Sequence, residues 1–307
     1  MSAALTLRNH QLDWGTRTYV MGILNVTPDS FSGDGLLATP SSSPTDRSDA
    51  AHEGLPRALA QARRFLAAGA DILDMGGEST RPGAQQVGAN EELARVMPVI
   101  EALRRETDAL ISIDTYKASV AEAALNAGAD LVNDVWGLRA DPDLAAVAAR
   151  HQAPVILMHN RSKPGNADVQ ARLGGRYVGM EYADLLEDVK RELMESVTIA
   201  RAAGIPDDRI ILDPGIGFGK TVEQNLELIN RLDEIRSLGF PVLLGPSRKS
   251  FIGYTLDLPP DQRLEGTAAA VAVGIARGAD IVRVHDVEMM VRVARMTDAI
   301  VRRQTGE

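Results

Sequence analysis

Nearly all of the short apolar runs along the chain end at a polar residue of a kind that active sites use. Runs of this length, flanked by polar residues, are typical of strands buried in a parallel sheet. The runs and the polar residues that follow them are 20–24 with Asn25, 72–73 with Asp74, 111–113 with Asp114, 131–132 with Asn133, 155–158 with His159, 210–212 with Asp213, 242–244 with Ser247, Arg248 and Lys249, and 281–284, which contains Arg283, with His285. Because the carboxyl ends of parallel strands meet on one rim, the pattern predicts a barrel with its chemistry on that rim.

Segments with apolar residues at helical spacing separate these runs. A phrase Gly-Ala-Asp before an apolar pair recurs at Gly69, Gly128 and Gly278, where glycine suits the left-handed residue that ends a helix. The recurrences are separated by multiples of about 30 residues, which is the size of one βα unit. The predicted helices are 55–68, 90–106, 117–127, 141–150, 180–203, 222–238, 262–277 and 287–303.

Alternating strands and helices are compatible with a closed (β/α)8 TIM barrel and with a doubly wound open sheet. Eight units without a break in composition favour the α/β barrel, as a single domain over residues 1–307. Residues 5–7 and 16–20 predict a short N-terminal β-hairpin within residues 1–19. Two long connections, 33–54 and 160–179, are expected on the active rim as lids or loops, with 36–54 a flexible insertion.

Composition narrows the class of protein further. A net charge of −9 and a pI near 5.2 argue against a nucleic-acid partner, which usually requires a basic face. The sequence has no cysteine, which excludes disulfides, thiolate metal sites and cysteine nucleophiles. Its N-terminal residues lack the apolar stretch of a signal peptide, and no apolar run approaches the ~20 residues of a membrane helix. We therefore expect a soluble, cytoplasmic protein with no membrane partner.

The segment 213–221 is similar in composition to a phosphate-binding loop. However, Pro214 stands where the motif Gly-x-x-x-x-Gly-Lys-Thr requires its first glycine, and the glycine spacing does not match the dinucleotide fingerprint. The sequence therefore predicts no nucleotide site at this segment.

Seven phrases of the sequence together resemble the dihydropteroate synthase family of folate biosynthesis. They lie at 22–32, 74–83, 112–115, 133–137, 212–220, 247–250 and 283–287, in the order that the family has them. The resemblance implies a pterin-binding transferase that condenses (7,8-dihydropterin-6-yl)methyl diphosphate with 4-aminobenzoate to give 7,8-dihydropteroate and pyrophosphate. It also implies magnesium as cofactor, a homodimer formed through late helices, and a target of sulfonamides.

For the pterin, the resemblance implies contacts from several strand ends. A carboxylate can accept the donor pair of the pterin 2-amino group and adjacent ring N–H, and Asp213 matches this position. Asn133, which has a donor and an acceptor, is matched to the mixed edge of the ring, and Lys249 to its carbonyl. The full implied set is Thr80, Asp114, Asn133, Met158, Asp213, Gly217 and Lys249. For Asp114, a cap on the following helix is an equally good interpretation.

For the diphosphate, the resemblance implies Asn25, Arg283 and His285. Arg283 and His285 are two positions apart on a strand, so both side chains point to the same side. Loops after the seventh and eighth strands of such barrels often hold phosphate. Asn25 is also implied to bind Mg²⁺ as a single protein ligand, since this ion takes most of its ligands from phosphates and water.

For the aminobenzoate, the resemblance implies Thr80, Arg81, Pro82, Phe218 and Ser250. The catalytic residues that it implies are Asp34, Thr80, Arg81 and Lys249. No nucleophile is paired with an obvious base, which favours a dissociative displacement without a covalent enzyme intermediate. Glu78 has no assigned role, and His159 is expected to be structural.

Two other functions share parts of this pattern. A methyltetrahydrofolate corrinoid methyltransferase would have similar acidic pterin contacts but needs no pyrophosphate site. A non-catalytic pterin-binding paralogue should have lost loop residues such as Asn25, Thr80 and Arg81, all of which are present.

Overall fold

The computed structural model describes residues 4–27, 47–178 and 180–302. Its strands in chain order are β1 (Ala4–Leu7), β2 (His10–Asp13), β3 (Tyr19–Asn25), β4 (Ile72–Gly76), β5 (Leu110–Asp114), β6 (Leu131–Asp134), β7 (Val155–Met158), β8 (Ala167–Gln170), β9 (Gly174–Tyr177), β10 (Ile210–Asp213), β11 (Leu243–Leu244) and β12 (Ile281–Val284). The pairs β1–β2 and β8–β9 are antiparallel hairpins, and the other eight strands form one sheet in the order β10-β7-β6-β5-β4-β3-β12-β11.

The two ends of this sheet meet and close a barrel. Leu212 of β10 forms a parallel bridge with Val242, next to β11, and its N–H donates to the carbonyl of Pro241 at 2.9 Å. The predicted TIM barrel is therefore confirmed, and the doubly wound open sheet is excluded because the first and last strands of the sheet are joined.

Helices cover the outside of the barrel. They are α1 (Arg47–Ala68), α2 (Ala89–Glu106), α3 (Ala118–Asn126), α4 (Leu144–Arg150), α5 (Leu185–Ala202), α6 (Val222–Asn230), α7 (Leu232–Arg236), α8 (Ser250–Leu256), α9 (Leu264–Ala276) and α10 (Val287–Val301). The recurring glycines follow α1, α3 and α9 with φ of 98° at Gly69, 108° at Gly128 and 100° at Gly278, so they do end helices in the left-handed conformation. Across the described ranges, no helix combines the length and the apolar character that crossing a membrane requires.

The core has two parts. The larger part lies between the strands and the surrounding helices. The smaller part forms a floor inside the barrel, where one residue from each barrel strand packs against the N-terminal hairpin, Trp14 and Tyr19. The strand residues of the floor are Met21, Ile72, Leu110, Leu131, Ile156, Ile211, Leu243 and Ile281. Because strand side chains alternate, residues two positions further along also point inward, and that layer is largely polar.

Several predicted boundaries were wrong. The N-terminal hairpin pairs 4–7 with 10–13 rather than with 16–20, and Tyr19 already belongs to the first barrel strand. The predicted insertion 36–54 ends in helix, since α1 begins at Arg47, while 36–46 lie outside the described residues. The connection 160–179 contains the hairpin β8–β9, the predicted helix 222–238 is divided at Arg231, and α8 was not predicted.

Gly22→Ala is expected to destabilise the fold, because β3 packs at this point directly against α1 and α10. A Cβ at Gly22 would lie 2.7 Å from Phe65 Cδ2 and 3.1 Å from Val287 Cγ2. Overpacking of this kind costs about 1–3 kcal/mol, which a shift of the urea midpoint would measure. The matched control is Gly165→Ala, where a Cβ would meet nothing within 4 Å. Equal losses in the two variants would contradict the packing explanation.

Candidate active site

Hydrogen bonds inside the barrel mouth converge on Arg283 of β12. Its Nε donates to Asp74 Oδ2 at 2.5 Å, and its Nη2 donates to Asp114 Oδ2 at 2.6 Å. Asn133 Nδ2 donates to the same Asp74 oxygen at 3.1 Å. These four residues come from β12, β4, β5 and β6, so the closed barrel brings strands that are distant in sequence to one network. Arg283 is thereby held in place by two carboxylates.

The carboxylates of Asp74 and Asp114 share one guanidinium. Burial raises the pKa of Asp114 to about 7, although the Arg283 charge opposes the shift. Asp114 does not cap the following helix, whose first N–H, that of Ala118, donates to Asp141 Oδ2 at 2.8 Å. The cap interpretation of Asp114 was therefore wrong.

Asp213, which is buried, and Lys249, which is half-buried, form a second group beside the first. The N–H of Gly215 donates to Asp213 Oδ1 at 2.7 Å, and burial raises the pKa of Asp213 while the Lys249 charge lowers it. Burial lowers the pKa of Lys249 to about 8, opposed by the charge of Asp213. Lys249 Nζ donates to the carbonyl of Ile216 and lies 4.6 Å from the centre of the Phe218 ring.

The turn after β10 approaches Lys249 closely because it contains glycine. Gly217 has a φ of 82°, and a Cβ there would lie 3.0 Å from Lys249 Cδ. Met158, at the end of β7, is buried and is the register partner of Asp213. Of the residues predicted for the pterin, the structure therefore brings together Asp213, Met158, Gly217 and Lys249. Asp114 and Asn133 lie beside this group, in the hydrogen-bond network around Arg283.

His285 lies in a strongly cationic environment. Its pKa is lowered well below the ordinary value, mainly by burial and then by the charges of Arg248, Arg283, Arg81 and Lys249. Its Nδ1 is 3.0 Å from Ser247 Oγ, and that hydroxyl oxygen also accepts the His285 backbone N–H at 3.1 Å. A neutral imidazole surrounded by cationic side chains is a suitable place for an anion to bind.

Arg248 is held in place by hydrogen bonds to its backbone and by an ion pair of its side chain. Its φ is 55°, a left-handed conformation that is uncommon outside glycine. The backbone is held there because its N–H donates to Thr267 Oγ1 at 3.1 Å and its carbonyl accepts Arg263 Nη1 at 3.0 Å. The guanidinium pairs with Asp286 at 2.9 and 2.5 Å. Arg248 thus supplies charge near His285 while its side chain is bound to Asp286.

The loop after β4 lies over the same rim. Thr80 and Pro82 are half-buried and Arg81 is exposed, and the effect of Arg81 on His285 shows that its charge is near the cationic end. A Cβ at Gly175 of β9 would lie 2.7 Å from Pro82 Cβ, so the second hairpin packs closely against this loop. Glu78, which had no assigned role, forms an ion pair with Lys117.

The remaining predicted residues are placed as follows. Asn25 is half-buried at the carboxyl end of β3, opposite Gly76. Ser250 is half-buried at the first position of α8. Within the described residues, neither joins the hydrogen bonds around Arg283. Asp34 and the loop 31–35 lie outside the described residues, so the role of Asp34 stays a prediction.

Two residues of the site were missed by the sequence interpretation. Asp74 was noted only as a strand end, yet it is fully buried and accepts from both Arg283 and Asn133. The sequence did contain an indication of this role: Asp74 follows the floor residue Ile72 by two positions. Asn133, Asp213 and Arg283 follow the floor residues of their own strands at the same distance. Lys220, at the end of the glycine-rich turn, is buried and bonded to protein carbonyls, which agrees with the rejection of a nucleotide loop.

Comparisons with known proteins identify the family to which the chain is similar. A family model described as pterin binding enzyme matches residues 21–285. The chain is 49% identical to the dihydropteroate synthase of Bacillus subtilis over 289 residues, which covers 94% of this chain and 90% of that protein. The crystal structure of a dihydropteroate synthase from Clostridium difficile, determined in the presence of pteroic acid, superposes with a TM-score of 0.81 at 48% identity and covers 95% and 99% of the two chains. A Xanthomonas albilineans dihydropteroate synthase with 4-aminobenzoic acid gives a TM-score of 0.82 at 39% identity, with full coverage of both chains, 100% and 100%.

Asp114→Asn is expected to change how the stability of the fold depends on pH. The pKa of Asp114 is about 7 in the folded protein, against about 3.9 in an unfolded chain. Between these values the folded state binds more protons, so the contribution of Asp114 to stability falls as the pH rises toward 7. Asparagine cannot ionise. Urea denaturation at pH 5 and pH 8 measures the free energy of unfolding of both proteins. The stability of the variant relative to the wild type should be higher at pH 8 than at pH 5, and a difference independent of pH would contradict the raised pKa.

Proposed function

The chain belongs to the pterin-binding enzyme family and within it to the dihydropteroate synthases, and we propose accordingly that it makes 7,8-dihydropteroate for folate synthesis. The reaction condenses (7,8-dihydropterin-6-yl)methyl diphosphate with 4-aminobenzoate and releases pyrophosphate. One observation of the site carries the proposal: buried carboxylates and a cationic end lie side by side in one barrel mouth, joined by Arg283.

Pterin recognition is assigned to the carboxylate side. Asp213 is buried next to Lys249, so the pair offers an acceptor and a donor within one group. The carboxylate of Asp213 accepts the 2-amino group and adjacent ring N–H of the pterin, and Lys249 donates to the ring carbonyl. Asn133 hydrogen-bonds to the edge of the pterin ring that has both a donor and an acceptor. Its amide is already oriented because Nδ2 donates to Asp74.

Diphosphate recognition is assigned to the cationic side. Arg283 lies in β12 and His285 directly follows the strand, and the charges of Arg283, Arg248, Arg81 and Lys249 act on the imidazole. An arriving diphosphate would favour a proton on His285, because an opposite charge stabilises the charged form. Donors fixed in advance are effective for the negative charge that develops on a leaving group, since they need not reorganise during the reaction.

Magnesium is proposed as the cofactor, with Asn25 as its protein ligand. Within the described residues no three His, Cys, Asp or Glu side chains are grouped so as to hold a metal ion. One amide oxygen on the rim fits an ion that takes its other ligands from the diphosphate and water. When bound, Mg²⁺ would neutralise negative charge on the departing pyrophosphate.

The distribution of charge favours a dissociative displacement. Heterolysis of the methylene–oxygen bond leaves positive charge on the pterin and negative charge on pyrophosphate. The pterin side of the site has Asp74, Asp114 and Asp213, and the other side has the cationic side chains that surround His285. The amine of 4-aminobenzoate then adds to the methylene carbon, with its ring between Phe218 and Pro82, and releases a proton. A corrinoid methyltransferase would not need this cationic side.

Asp213→Asn is the direct test of the pterin site. The amide presents a donor where the pterin also presents donors, so kcat/KM for the pterin diphosphate should fall by about 10²-fold or more. The control is Asp207→Asn, an exposed acid that pairs with Arg201 away from the barrel mouth. The assay follows pyrophosphate and dihydropteroate with 4-aminobenzoate and Mg²⁺ present. Absence of product with the wild-type protein would refute the synthase activity, and an unchanged Asp213→Asn variant would refute the pterin contact.

A homodimer through α9 and α10 is proposed as the assembly, and a cytoplasmic location and sensitivity to sulfonamides stay predictions. Met289, Met296 and Ile300 lie on one face of α10, and Val273 is exposed on the adjoining α9. The exposed fractions of Met296 and Ile300 are 64% and 61%. Large apolar side chains grouped on one surface are typical of an interface between subunits.

The double substitution Met296→Lys with Ile300→Lys is expected to convert the dimer to monomer, because it introduces charge into the proposed interface. Sedimentation velocity measures the change. Leu226→Lys is the control, since Leu226 is an exposed apolar residue of α6. A wild-type protein that sediments as a monomer would refute the dimer, and a variant that stays dimeric would place the interface elsewhere.

A further inference from the structure

Beneath the candidate site, a row of buried ionisable side chains connects the turn after β10 to α5. Lys220 Nζ is 2.9 Å from His159 Nδ1, and His159 Nε2 is 3.0 Å from Glu192 Oε2. Lys220, His159 and Glu192 have exposed fractions of 2%, 1% and 9%. Arg161 Nε donates to Glu192 Oε1 at 2.9 Å and completes the row. The proposed reaction assigns no role to any of these residues.

The ammonium group of Lys220 is matched to its acceptors. Besides His159 Nδ1, Nζ donates to the carbonyls of Gly215 and Phe218, at 2.9 and 3.0 Å. An ammonium has three donors and no acceptor, so all three are used. Because His159 Nδ1 must accept, its proton is on Nε2, where Glu192 accepts it. Burial and the Lys220 charge lower the pKa of His159 to about 3, which agrees with a neutral ring.

The turn that Lys220 holds is the one that carries substrate contacts. Gly215 and Phe218 flank Gly217, and Asp213 begins the turn. The His159 N–H donates to the carbonyl of Asp213 at 2.9 Å. A Cβ at Gly215 would lie 1.8 Å from the carbonyl oxygen of His159, so the turn rests directly on this residue. Any movement of Lys220 or His159 would therefore move Asp213 and Phe218.

We propose that Lys220, with its orientation set by His159 and Glu192, is a positioning residue that fixes the 213–218 turn for the pterin and the aminobenzoate. The inference rests on the proposed function of the turn. Lys220 does not touch substrate. It acts through the two carbonyls that it binds. Its hydrogen bonds go to the turn and to His159, and none goes to Arg283 or His285, so the diphosphate end is linked to it only indirectly, through Lys249.

Lys220→Met tests this assignment, because methionine has a similar length and no donor. The affinity for pteroic acid, measured by calorimetry, is expected to fall about 10- to 100-fold, as for other small displacements of binding groups. The inhibition constant of pyrophosphate with Mg²⁺ should change much less, and thermal unfolding shows whether the variant folds. A purely structural role would leave both constants of the folded fraction unchanged, and that result would overturn the proposal.

A pair of substitutions at His159 keeps the test decisive if Lys220→Met does not fold. Glutamine can accept from Lys220 and donate to Glu192, whereas leucine can do neither. His159→Gln should keep most of the affinity for pteroic acid, and His159→Leu should lose it. Equal affinities would overturn the proposal. A wild-type protein that binds neither pteroic acid nor pyrophosphate would instead refute the proposed function.

The proton on Lys220 gives a further measurement. Burial lowers the pKa of Lys220 to about 7; the charges of Asp213 and Glu192 oppose the shift, and those of Lys249 and Arg161 add to it. Above this pH the amine has one donor fewer, so affinity for pteroic acid should decline as the pH rises through about 7. A second decline belongs to Lys249, whose pKa is about 8. Asp114 also has a pKa of about 7, so the decline near pH 7 should be smaller in Lys220→Met than in the wild type, and a decline of equal size would contradict the role of Lys220.

Discussion

Every second residue of a barrel strand points into the barrel, and the position of the whole site depends on this alternation. At the amino ends of the strands the inward residues are apolar and pack on the N-terminal hairpin as a floor. Two positions further along the same faces stand Asp74, Asn133, Asp213 and Arg283. A shift of one residue in the register of a strand would turn its polar residue outward, among the helices. Packing of the floor therefore also fixes the site above it.

A polar layer inside a barrel is stable only when its charges are paired, because an isolated buried charge is costly. Removal of one partner of such a pair typically costs about 3–5 kcal/mol, since the other charge is left buried. Arg283 meets this requirement for Asp74 and Asp114 together. Two carboxylates and one guanidinium leave an excess of negative charge, which explains why burial can raise the pKa of Asp114 so far. The same excess suits a substrate that becomes cationic as its diphosphate leaves.

The barrel and most strand-end residues could be predicted from the sequence because both follow from short-range patterns. Apolar runs and their polar ends are local, and a closed barrel brings those ends together without further information. Asp74 was not recognised because its function depends on Arg283, which is distant in sequence. The hairpin β8–β9 was missed because each strand has only four residues, mostly exposed or half-buried, and β9 begins with two glycines; the hairpin is held by packing on Pro82. The break at Arg231 likewise had no proline or glycine to indicate it.

The turn 213–220 has a composition similar to that of a phosphate-binding loop, but its backbone groups are oriented differently. In a phosphate loop the backbone N–H groups point at the anion. In this protein those of Gly215, Gly217 and Phe218 already donate to Asp213 Oδ1, Asn225 Oδ1 and the carbonyl of Gly215. The carbonyls converge on the lysine that ends the motif. Left-handed glycines at 215, 217 and 219 make this inversion possible, with φ of 72°, 82° and 68°. Lys220 thereby points inward and holds the turn. The proposed diphosphate site lies instead at β12, where the hydrogen-bond donors are side chains.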